Sequence, residues 1–229
     1  MINELLKDLD SLANKEKASL LQGFFKTGKG QYGEGDVFLG IMVPEQRKLV
    51  KKYKELSMKN IQKLLNSKIH EHRLTGILIL VDQYKTKDNK KELFDFYLKN
   101  TKNINNWDLV DLSAPNIVGQ FLIDKDRSIL YRLTKSSNLW EKRISILATF
   151  AFIRNNDFKD ALCVAEILLK DEHDLIHKAV GWMLREIGKK DQKVEEEFLK
   201  KYYKEMPRTM LRYAIEKFDE DKRQSYLKK

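Results

Sequence analysis

Trp107 and Asp111 lie four residues apart in the chain. On an α-helix this spacing places the indole and the carboxylate on one face, one turn apart. An acid beside a large aromatic ring, in a chain of formal net charge +10, suggests a site for an electron-poor, cationic substrate. Both residues also have ordinary structural interpretations, because a helical tryptophan is more often part of the core and an aspartate often caps a helix or pairs with arginine.

A second group of candidates forms one stripe on a predicted helix, at positions i, i+4, i+7 and i+11: Lys178, Trp182, Arg185 and Lys189. Cations around an indole suit phosphates together with a sugar or a base. Trp182 taken alone would again be interpreted as core. A third segment, around Trp140 and Arg143, combines apolar periodicity with charged residues that a core does not need.

Metal and nucleophile chemistry are disfavoured by the spacing of the other candidates. His173 and His177 are four residues apart, but no third ligand stands at a recognisable spacing. We therefore interpret these histidines, and also His70 and His72, as solvated or capping side chains, and we expect no metal and no cofactor. The single cysteine, Cys163, is predicted to be a packed thiol and excludes an intrachain disulfide.

A glycine-rich segment at residues 26–36 matches G-x-G-x-x-G at Gly28, Gly30 and Gly33. A dinucleotide-binding fingerprint requires a preceding strand within a βαβ unit, whereas an amphipathic helix precedes this segment. The segment is therefore interpreted as a mobile loop between helices. Alternatively, its backbone N–H groups, with Lys26 and Lys29, approach a phosphate backbone.

The elements that carry these residues are predicted to be helices. The chain has only three prolines and ten glycines, too few turn-forming residues for a β-rich fold. A 3.6-residue apolar period runs through most of the chain. Short polar connections predict antiparallel helix pairs, which recur about every 35–45 residues, as in HEAT-type units. We predict an all-α fold, an α-α superhelix (solenoid) of HEAT-like repeats in a single domain over residues 1–229, with a closed helical bundle as the alternative. The predicted helices lie at residues 2–25 (one or two helices), 44–56, 58–65, 70–84, 90–98, 107–124, 128–135, 139–155, 158–169, 175–189, 194–203, 209–218 and 221–227.

The charge balance points to a polyanionic partner. The chain has 44 Lys+Arg against 34 Asp+Glu among 229 residues, which favours nucleic acid first and an acidic membrane surface second. It has no apolar run long enough to span a bilayer and no signal-peptide core, so we expect a cytoplasmic protein with no membrane partner. Composition and spacing together indicate a basic α-helical repeat protein that binds nucleic acid.

Three segments resemble the DNA alkylation-repair glycosylases of the AlkD family, which are built from HEAT-like repeats. The resemblance extends from about residue 38 to residue 218, and it is specific because the segments keep their order and separation. The segments are Trp107-Asp108-x-Val110-Asp111, Trp140-x-x-Arg143 and Lys178-Ala179-x-Gly181-Trp182-x-Leu184-Arg185-Glu186.

The resemblance implies a role for each candidate. Asp111 matches the family's catalytic carboxylate, and Trp107 and Trp182 match the aromatic residues that line the sugar of the damaged nucleotide. Arg143 matches an arginine that contacts the DNA backbone near the lesion. The family excises N3- and N7-alkylated purines without a cofactor and need not flip the base into a pocket. Further backbone contacts are expected from cations on the concave surface: Lys178, Arg185, Lys189, Arg208 and Arg212.

The N-terminal region departs from the family pattern. The best-known members carry an N-terminal helix with a tyrosine that closes over the lesion, whereas this chain has Phe24-Phe25-Lys26 there, and Tyr32 is a candidate only by proximity. One hypothesis is therefore a monomeric glycosylase that acts on alkylated purines in double-stranded DNA. The second is a HEAT-like protein that binds damaged or branched DNA without cleaving it. A protein–protein scaffold is disfavoured by the basic stripe with Trp182.

Overall fold

The computed structural model describes residues 1–228, and the regular elements within them are helices, most of them joined by short turns. A longer connection, residues 25–42, separates the helix that ends at Phe24 from the helix that begins at Val43. A parallel bridge between Val37 and Ile69 is the one β-type pairing in that part of the chain. None of the described helices is long and apolar enough to cross a membrane. The chain divides into two compact units, unit 1 (Met1–Ser113) and unit 2 (Ala114–Lys229). The single domain expected over residues 1–229 stays a prediction.

Unit 1 is organised around one helix that is buried on all sides. Its α-helices are α1 (Ile2–Ser11), α2 (Lys15–Phe24), α3 (Val43–Lys52), α4 (Met58–Leu65), α5 (His70–Thr86), α6 (Lys90–Lys99) and α7 (Trp107–Ser113). Every residue of α5 from His70 to Val81 is buried, and α3, α4, α6 and α7 pack against it. Each fully buried leucine or isoleucine there contributes about 1.5–3 kcal/mol through loss of apolar surface from water. This central helix therefore fixes the position of α7, which carries Trp107 and Asp111.

Unit 2 is organised around a second central helix. Its α-helices are α8 (Ser128–Thr134), α9 (Leu139–Ala148), α10 (Phe150–Arg154), α11 (Lys159–Ile167), α12 (Asp174–Gly188), α13 (Gln192–Tyr202), α14 (Arg208–Ala214) and α15 (Glu220–Leu227). Helix α12 packs against α9, α13 and α14. It approaches α14 closely because Gly181 has no side chain there: a Cβ at this position would lie 2.4 Å from the carbonyl oxygen of Met210.

Most predicted helices are confirmed, although some end earlier than predicted. The helix predicted at residues 44–56 ends at Lys52, and the helix predicted at residues 209–218 ends at Ala214 and continues as a 3-10 turn, Ile215–Lys217.

Two further differences have a clear local cause. The helix predicted at residues 107–124 ends at Ser113, and a π-helical turn, Pro115–Gly119, follows. Pro115 has no N–H to continue the α-helical ladder, which explains the change. The helix predicted at residues 139–155 is divided at Thr149, whose Oγ1 donates to the carbonyl of Ile146 at 2.6 Å. Such a local side-chain bond competes with the helical pattern and often bends it.

Candidate functional site

Trp107 and Asp111 lie on one short helix of unit 1, one turn apart and both half-buried. The buried Tyr97 of α6 lies beneath this helix and hydrogen-bonds to Ser113 at 2.9 Å. Since the Ser113 hydroxyl donates to the carbonyl of Leu109, the phenol must be the donor in that pair. Burial raises the pKa of Tyr97, the bond to Ser113 opposes the rise, and the nearby charge of Asp111 adds to it. Asp111 thus stands at the edge of an apolar core, where a charge is only partly screened.

The ring of Trp107 is held by aromatic neighbours from the end of α2. Phe25 stacks on it with centroids 5.1 Å apart and an interplanar angle of 17°. Phe24 meets it edge-on at 5.9 Å and is itself 63% exposed. Such contacts fix an indole in one orientation, and each adds about 0.5–1.5 kcal/mol beyond area burial. The Phe24-Phe25 pair therefore forms one wall of the site.

Beneath this wall lies a buried chain of charged side chains, Arg73–Asp36–His70–Asp108, which we call the ionic chain. Nη2 of Arg73 donates to Oδ1 of Asp36 at 2.6 Å, and Oδ2 of Asp36 lies 3.2 Å from Nδ1 of His70. Nε2 of His70 lies 2.8 Å from Oδ2 of Asp108. All four side chains are at most 8% exposed. Buried charges of this kind are stable only when they are paired, as they are here.

The ionic chain shifts the protonation of its members. Burial lowers the pKa of His70, but the hydrogen bond and the charge of Asp108, with a further bond from Asp36, outweigh it and raise the pKa to about 9. Burial raises the pKa of Asp36, whereas the bonds and charges of His70 and Arg73 more than reverse this and lower it. His70 is therefore an imidazolium at neutral pH, between two carboxylates.

The predicted stripe of unit 2 lies along α12, and its members are already paired with acids. Nζ of Lys178 lies 2.7 Å from Asp174, and Nζ of Lys189 lies 2.6 Å from Glu186. Arg185 pairs with Glu216 of the neighbouring turn. Trp182 is half-buried, and its ring centroid lies 5.9 Å from that of Phe150. A bound phosphate would therefore have to compete with these carboxylates for the cations of the stripe.

The remaining predicted DNA contacts differ in exposure. Arg143 is only 5% exposed, and its Nη1 donates to the carbonyl of Leu175 at the start of α12. Arg208 is exposed and donates to the carbonyl of Leu227 at 2.9 Å. Arg212 is exposed on α14. Contact between Arg143 and a phosphate thus requires a guanidinium that turns outward from Leu175.

The glycine-rich segment carries Asp36, one member of the ionic chain, at its end. It ends at Asp36, and it passes so close to the end of α2 that a Cβ on Gly33 would lie 2.5 Å from the carbonyl oxygen of Phe25. The amide of Gly33 donates to the carbonyl of Lys26 at 3.2 Å, which closes the loop. The close approach explains why a glycine stands at position 33 and gives the loop a structural role next to the site.

The histidines divide into two classes. His173 caps α12, since its Nδ1 accepts from the amide of Leu175 at 3.1 Å, as the sequence predicted. His70 and His72 are buried, which corrects their interpretation as solvated or capping side chains. Residues 1–228 contain no group of three or more His, Cys, Asp or Glu side chains that could hold a metal ion. Cys163 is half-buried in α11.

Sequence reasoning missed the ionic chain as a unit. Three of its members stand out in the sequence for separate reasons: Asp108 lies in the tryptophan motif, Asp36 ends the glycine-rich segment and His70 is one of four histidines that could bind a metal. His70 is 34 residues from Asp36 and 38 from Asp108, so no local spacing connects them. The weak signal was a cluster of ionisable residues at position 70–73, at the start of a helix that is otherwise apolar.

Comparison with known proteins agrees with this fold. A family model described as DNA alkylation repair enzyme matches residues 5–218. A solved structure described as a predicted DNA alkylation repair enzyme from Enterococcus faecalis superimposes with a TM-score of 0.73 at 18% identity, over 91% of this chain and 97% of that one. The structure of AlkD2 from Streptococcus mutans superimposes with a TM-score of 0.58 at 19% identity, over 90% of this chain and 99% of that one. No protein of curated function matches the sequence significantly.

At these identities the structural similarities establish the fold alone. They agree with the all-α architecture seen in each unit, so the prediction of an all-α helical-repeat fold is confirmed. The family match covers nearly the whole chain and includes both units. Trp107, Asp111, Arg143 and Trp182 all fall inside it.

Proposed function

The chain belongs to the DNA alkylation repair enzyme family, and from this premise we propose that it is a monofunctional glycosylase for N3- and N7-alkylated purines in double-stranded DNA. Membership of the family gives the chain a role in DNA repair. The observation that carries the finer proposal is the pair on α7, where a half-buried carboxylate lies one turn from an indole fixed by stacking. We propose that the enzyme acts as a monomer, without a metal or a cofactor.

The proposed chemistry needs little more than this pair. Alkylation at a ring nitrogen makes the purine cationic and already a good leaving group. The remaining barrier is the positive charge that develops on the deoxyribose as the glycosidic bond breaks. The carboxylate of Asp111 stabilises that charge and orients the attacking water. The face of Trp107 favours the same charge by a cation–π interaction.

Fixed geometry supports this role for Trp107 and Asp111. A catalytic group stabilises a transition state best when it does not reorganise during the reaction. Trp107 meets this condition because Phe25 stacks on it and Phe24 bounds its edge. Asp111 meets it because α7 rests on the buried α5 and on Tyr97.

Unit 2 supplies the groups proposed to hold the DNA. Trp182 is assigned to the sugar of the damaged nucleotide and Arg143 to the backbone beside it. Lysine and arginine side chains neutralise phosphates and fix the register of the protein on the duplex without reading sequence. The residues assigned to this role are Lys178, Arg185, Lys189, Arg208 and Arg212.

Release of 3-methyladenine and 7-methylguanine from methylated duplex DNA tests the proposal. The wild type is compared with Asp111→Asn and with a control, Asp95→Asn, which removes an exposed carboxylate of α6 that pairs with Lys91. We expect release by the wild type and the control, and none by Asp111→Asn, with DNA affinity nearly unchanged in all three. Equal release by Asp111→Asn would refute the role of Asp111. Absence of release from every protein, with binding retained, would identify a DNA binder that does not cleave.

A further inference from the structure

The ionic chain ends on the first turn of α7, although the proposed chemistry uses none of its members. Oδ1 of Asp108 accepts from the amide of Leu109 at 2.9 Å. Asn106 joins the same network, because its Nδ2 donates to Asp36 at 3.3 Å and its Oδ1 accepts from the amide of Trp107 at 2.8 Å. The amides at the start of α7 are thus bonded to side chains that His70 and Asp36 hold in place.

This anchoring matters because α7 is only seven residues long. An isolated helix of two turns is not stable in water, because the free-energy cost of nucleation exceeds the stabilisation from so few hydrogen bonds. Its position therefore depends on packing and on the bonds at its first turn. A small rotation of α7 about its start would move both Trp107 and Asp111.

A second path connects His70 to Trp107 through aromatic rings. Phe38 stacks on the imidazole with centroids 4.5 Å apart, and Phe25 lies 5.0 Å from it. The same Phe25 ring stacks on Trp107. His70 therefore touches the candidate site through Asp108 and, independently, through the phenylalanine that forms its wall.

The geometry also fixes the charge state in which His70 can do this. Its two ring nitrogens each face a carboxylate oxygen, at 3.2 Å and 2.8 Å, and an ionised carboxylate can only accept. Only the imidazolium has two N–H groups to donate. The other charges packed around it are Arg73 on its own helix, Asp36 from the loop and Asp108 from α7. Glu71 faces the amides of Leu39, Gly40 and Ile41 instead.

We propose that His70, as an imidazolium bridging Asp36 and Asp108, is a positioning residue that holds α7 so that Trp107 and Asp111 stand in their catalytic geometry. The glycine-rich segment then has a defined role, because it delivers Asp36 to this bridge. The inference deepens the proposed glycosylase function and rests on it only for the effect on catalysis. The physical link between His70 and Trp107 exists whether or not the protein cleaves DNA.

Loss of the His70 proton should release α7. With the proton, two cations balance the carboxylates of Asp36 and Asp108, and without it one carboxylate charge is buried without a counter-charge. One ring nitrogen then also faces a carboxylate as acceptor to acceptor. The expected change occurs on the alkaline side, near the raised pKa of about 9 for His70.

The test follows Trp107 directly by ¹⁹F NMR of protein labelled with 5-fluorotryptophan. The chain has three tryptophans, and Trp107→Phe assigns the resonance of interest. Trp140 and Trp182 serve as internal controls. We expect the Trp107 resonance to move as the pH rises through about 9, in step with the ring ¹⁵N shifts of His70. In His70→Gln the resonance should be displaced at neutral pH and no longer titrate. The matched control is His72→Gln, which alters a buried histidine outside the ionic chain and should behave as the wild type.

Single-turnover base release measures the catalytic consequence in the same variants. His70→Gln should slow release about tenfold or more while the Kd for duplex DNA stays within about twofold, because displaced groups lose reaction rate before they lose binding. His72→Gln should keep the wild-type rate. If His70→Gln does not fold, as judged by its helical circular dichroism and its urea unfolding against the wild type, Asp108→Asn tests the same link.

The two readouts separate the possible failures. A Trp107 resonance that is unchanged in His70→Gln, or in Asp108→Asn where that variant decides, would overturn the positioning role. A displaced resonance with an unchanged rate of base release would also overturn it. If the wild type releases no base, the proposed function fails, and the ¹⁹F shifts alone then decide whether His70 positions α7.

Discussion

Trp182 donates the hydrogen of its indole Nε1 to Oε1 of Glu186, 3.1 Å away and one turn further along α12. The same oxygen accepts from Nζ of Lys189 at 2.6 Å. Nε of Arg185 lies 3.8 Å from it. The half-buried carboxylate of Glu186 thus contacts three of the four residues of the stripe, Trp182, Arg185 and Lys189. These three residues belong to the surface that we propose for DNA binding.

Two substitutions of Glu186 should distinguish its effect on the orientation of Trp182 from the effect of its negative charge on DNA binding. Glu186→Gln keeps an acceptor for the indole of Trp182 but removes a negative charge beside Arg185 and Lys189. We expect it to bind duplex DNA more tightly at low salt and to keep the rate of base release. Glu186→Ala removes the acceptor as well, so Trp182 loses its orientation and base release should slow about tenfold. Fluorescence anisotropy and single-turnover release measure the two effects, and equal release rates in both variants would contradict the orienting role.

The stripe should set the salt dependence of DNA binding. Lys178→Met and Lys189→Met each remove one proposed phosphate contact, and the slope of log Kobs against log salt should become shallower by about one unit for each. Lys91→Met is the control, because Lys91 forms a comparable pair with Asp95, 2.6 Å apart on α6, outside the proposed surface. Titrations across salt concentrations report the slopes. The same decrease with Lys91→Met would show that the slope follows net charge and not the stripe.

Local periodicity predicted what depends on local spacing. Helix α4 begins and ends where the apolar pattern placed it, at residues 58–65, and Trp107 and Asp111 share a helix face because four residues make about one turn. The pattern could not show that α7 stops at Ser113, because the apolar period continues through Pro115 and masks the break.

Contacts between residues that are far apart in the chain could not be predicted from the sequence. The helical period predicted that Trp182 lies between cationic side chains. It did not predict the hydrogen bond between Trp182 and Glu186, because an acidic residue on the surface of a helix is common and indicates no particular partner. The bridge through His70 depends on a loop and two helices that meet only in the folded unit. Burial reversed the expectation for His70, because a histidine at a helix start is usually solvated, whereas this one lies under Phe25 and Phe38.

Close packing at Gly181 predicts a stability change beside the proposed DNA surface. A Cβ there would lie 2.4 Å from the backbone oxygen of Met210 and 2.6 Å from Cβ of Tyr213, so α12 and α14 must separate. Gly181→Ala should lower the free energy of unfolding by about 1–3 kcal/mol. Gly23→Ala is the control, because nothing lies within 4 Å of its added Cβ, and it should raise stability by about 0.5–1 kcal/mol. Urea unfolding of both variants checks the signs, and a loss of stability in Gly23→Ala would contradict the packing argument.

Glu195 should make the protein less stable as the pH rises. It is 2% exposed on α13, and burial, helped by the charge of Glu196 and opposed by Arg185, raises its pKa from 4.5 to about 8. The folded protein therefore binds this proton more tightly than the unfolded chain. The resulting stabilisation is complete below about pH 4.5 and is lost as the pH rises through about 8. His70 acts in the same direction between about pH 6.5 and 9.

Glu195→Gln should remove this part of the pH dependence. At pH 9 the wild type holds an ionised carboxylate in the core, so the variant should be more stable than the wild type by a few kcal/mol, at most on the order of 5. At pH 5 most of the carboxyl is protonated in the folded state, and the two should differ little. The control is Glu197→Gln, which lies two residues further along the same helix and is exposed. Its stability should equal that of the wild type at both pH values. Urea unfolding at the two pH values measures the difference. A difference in stability between pH 5 and pH 9 that is as large in Glu195→Gln as in the wild type would show that the buried carboxyl does not contribute to it.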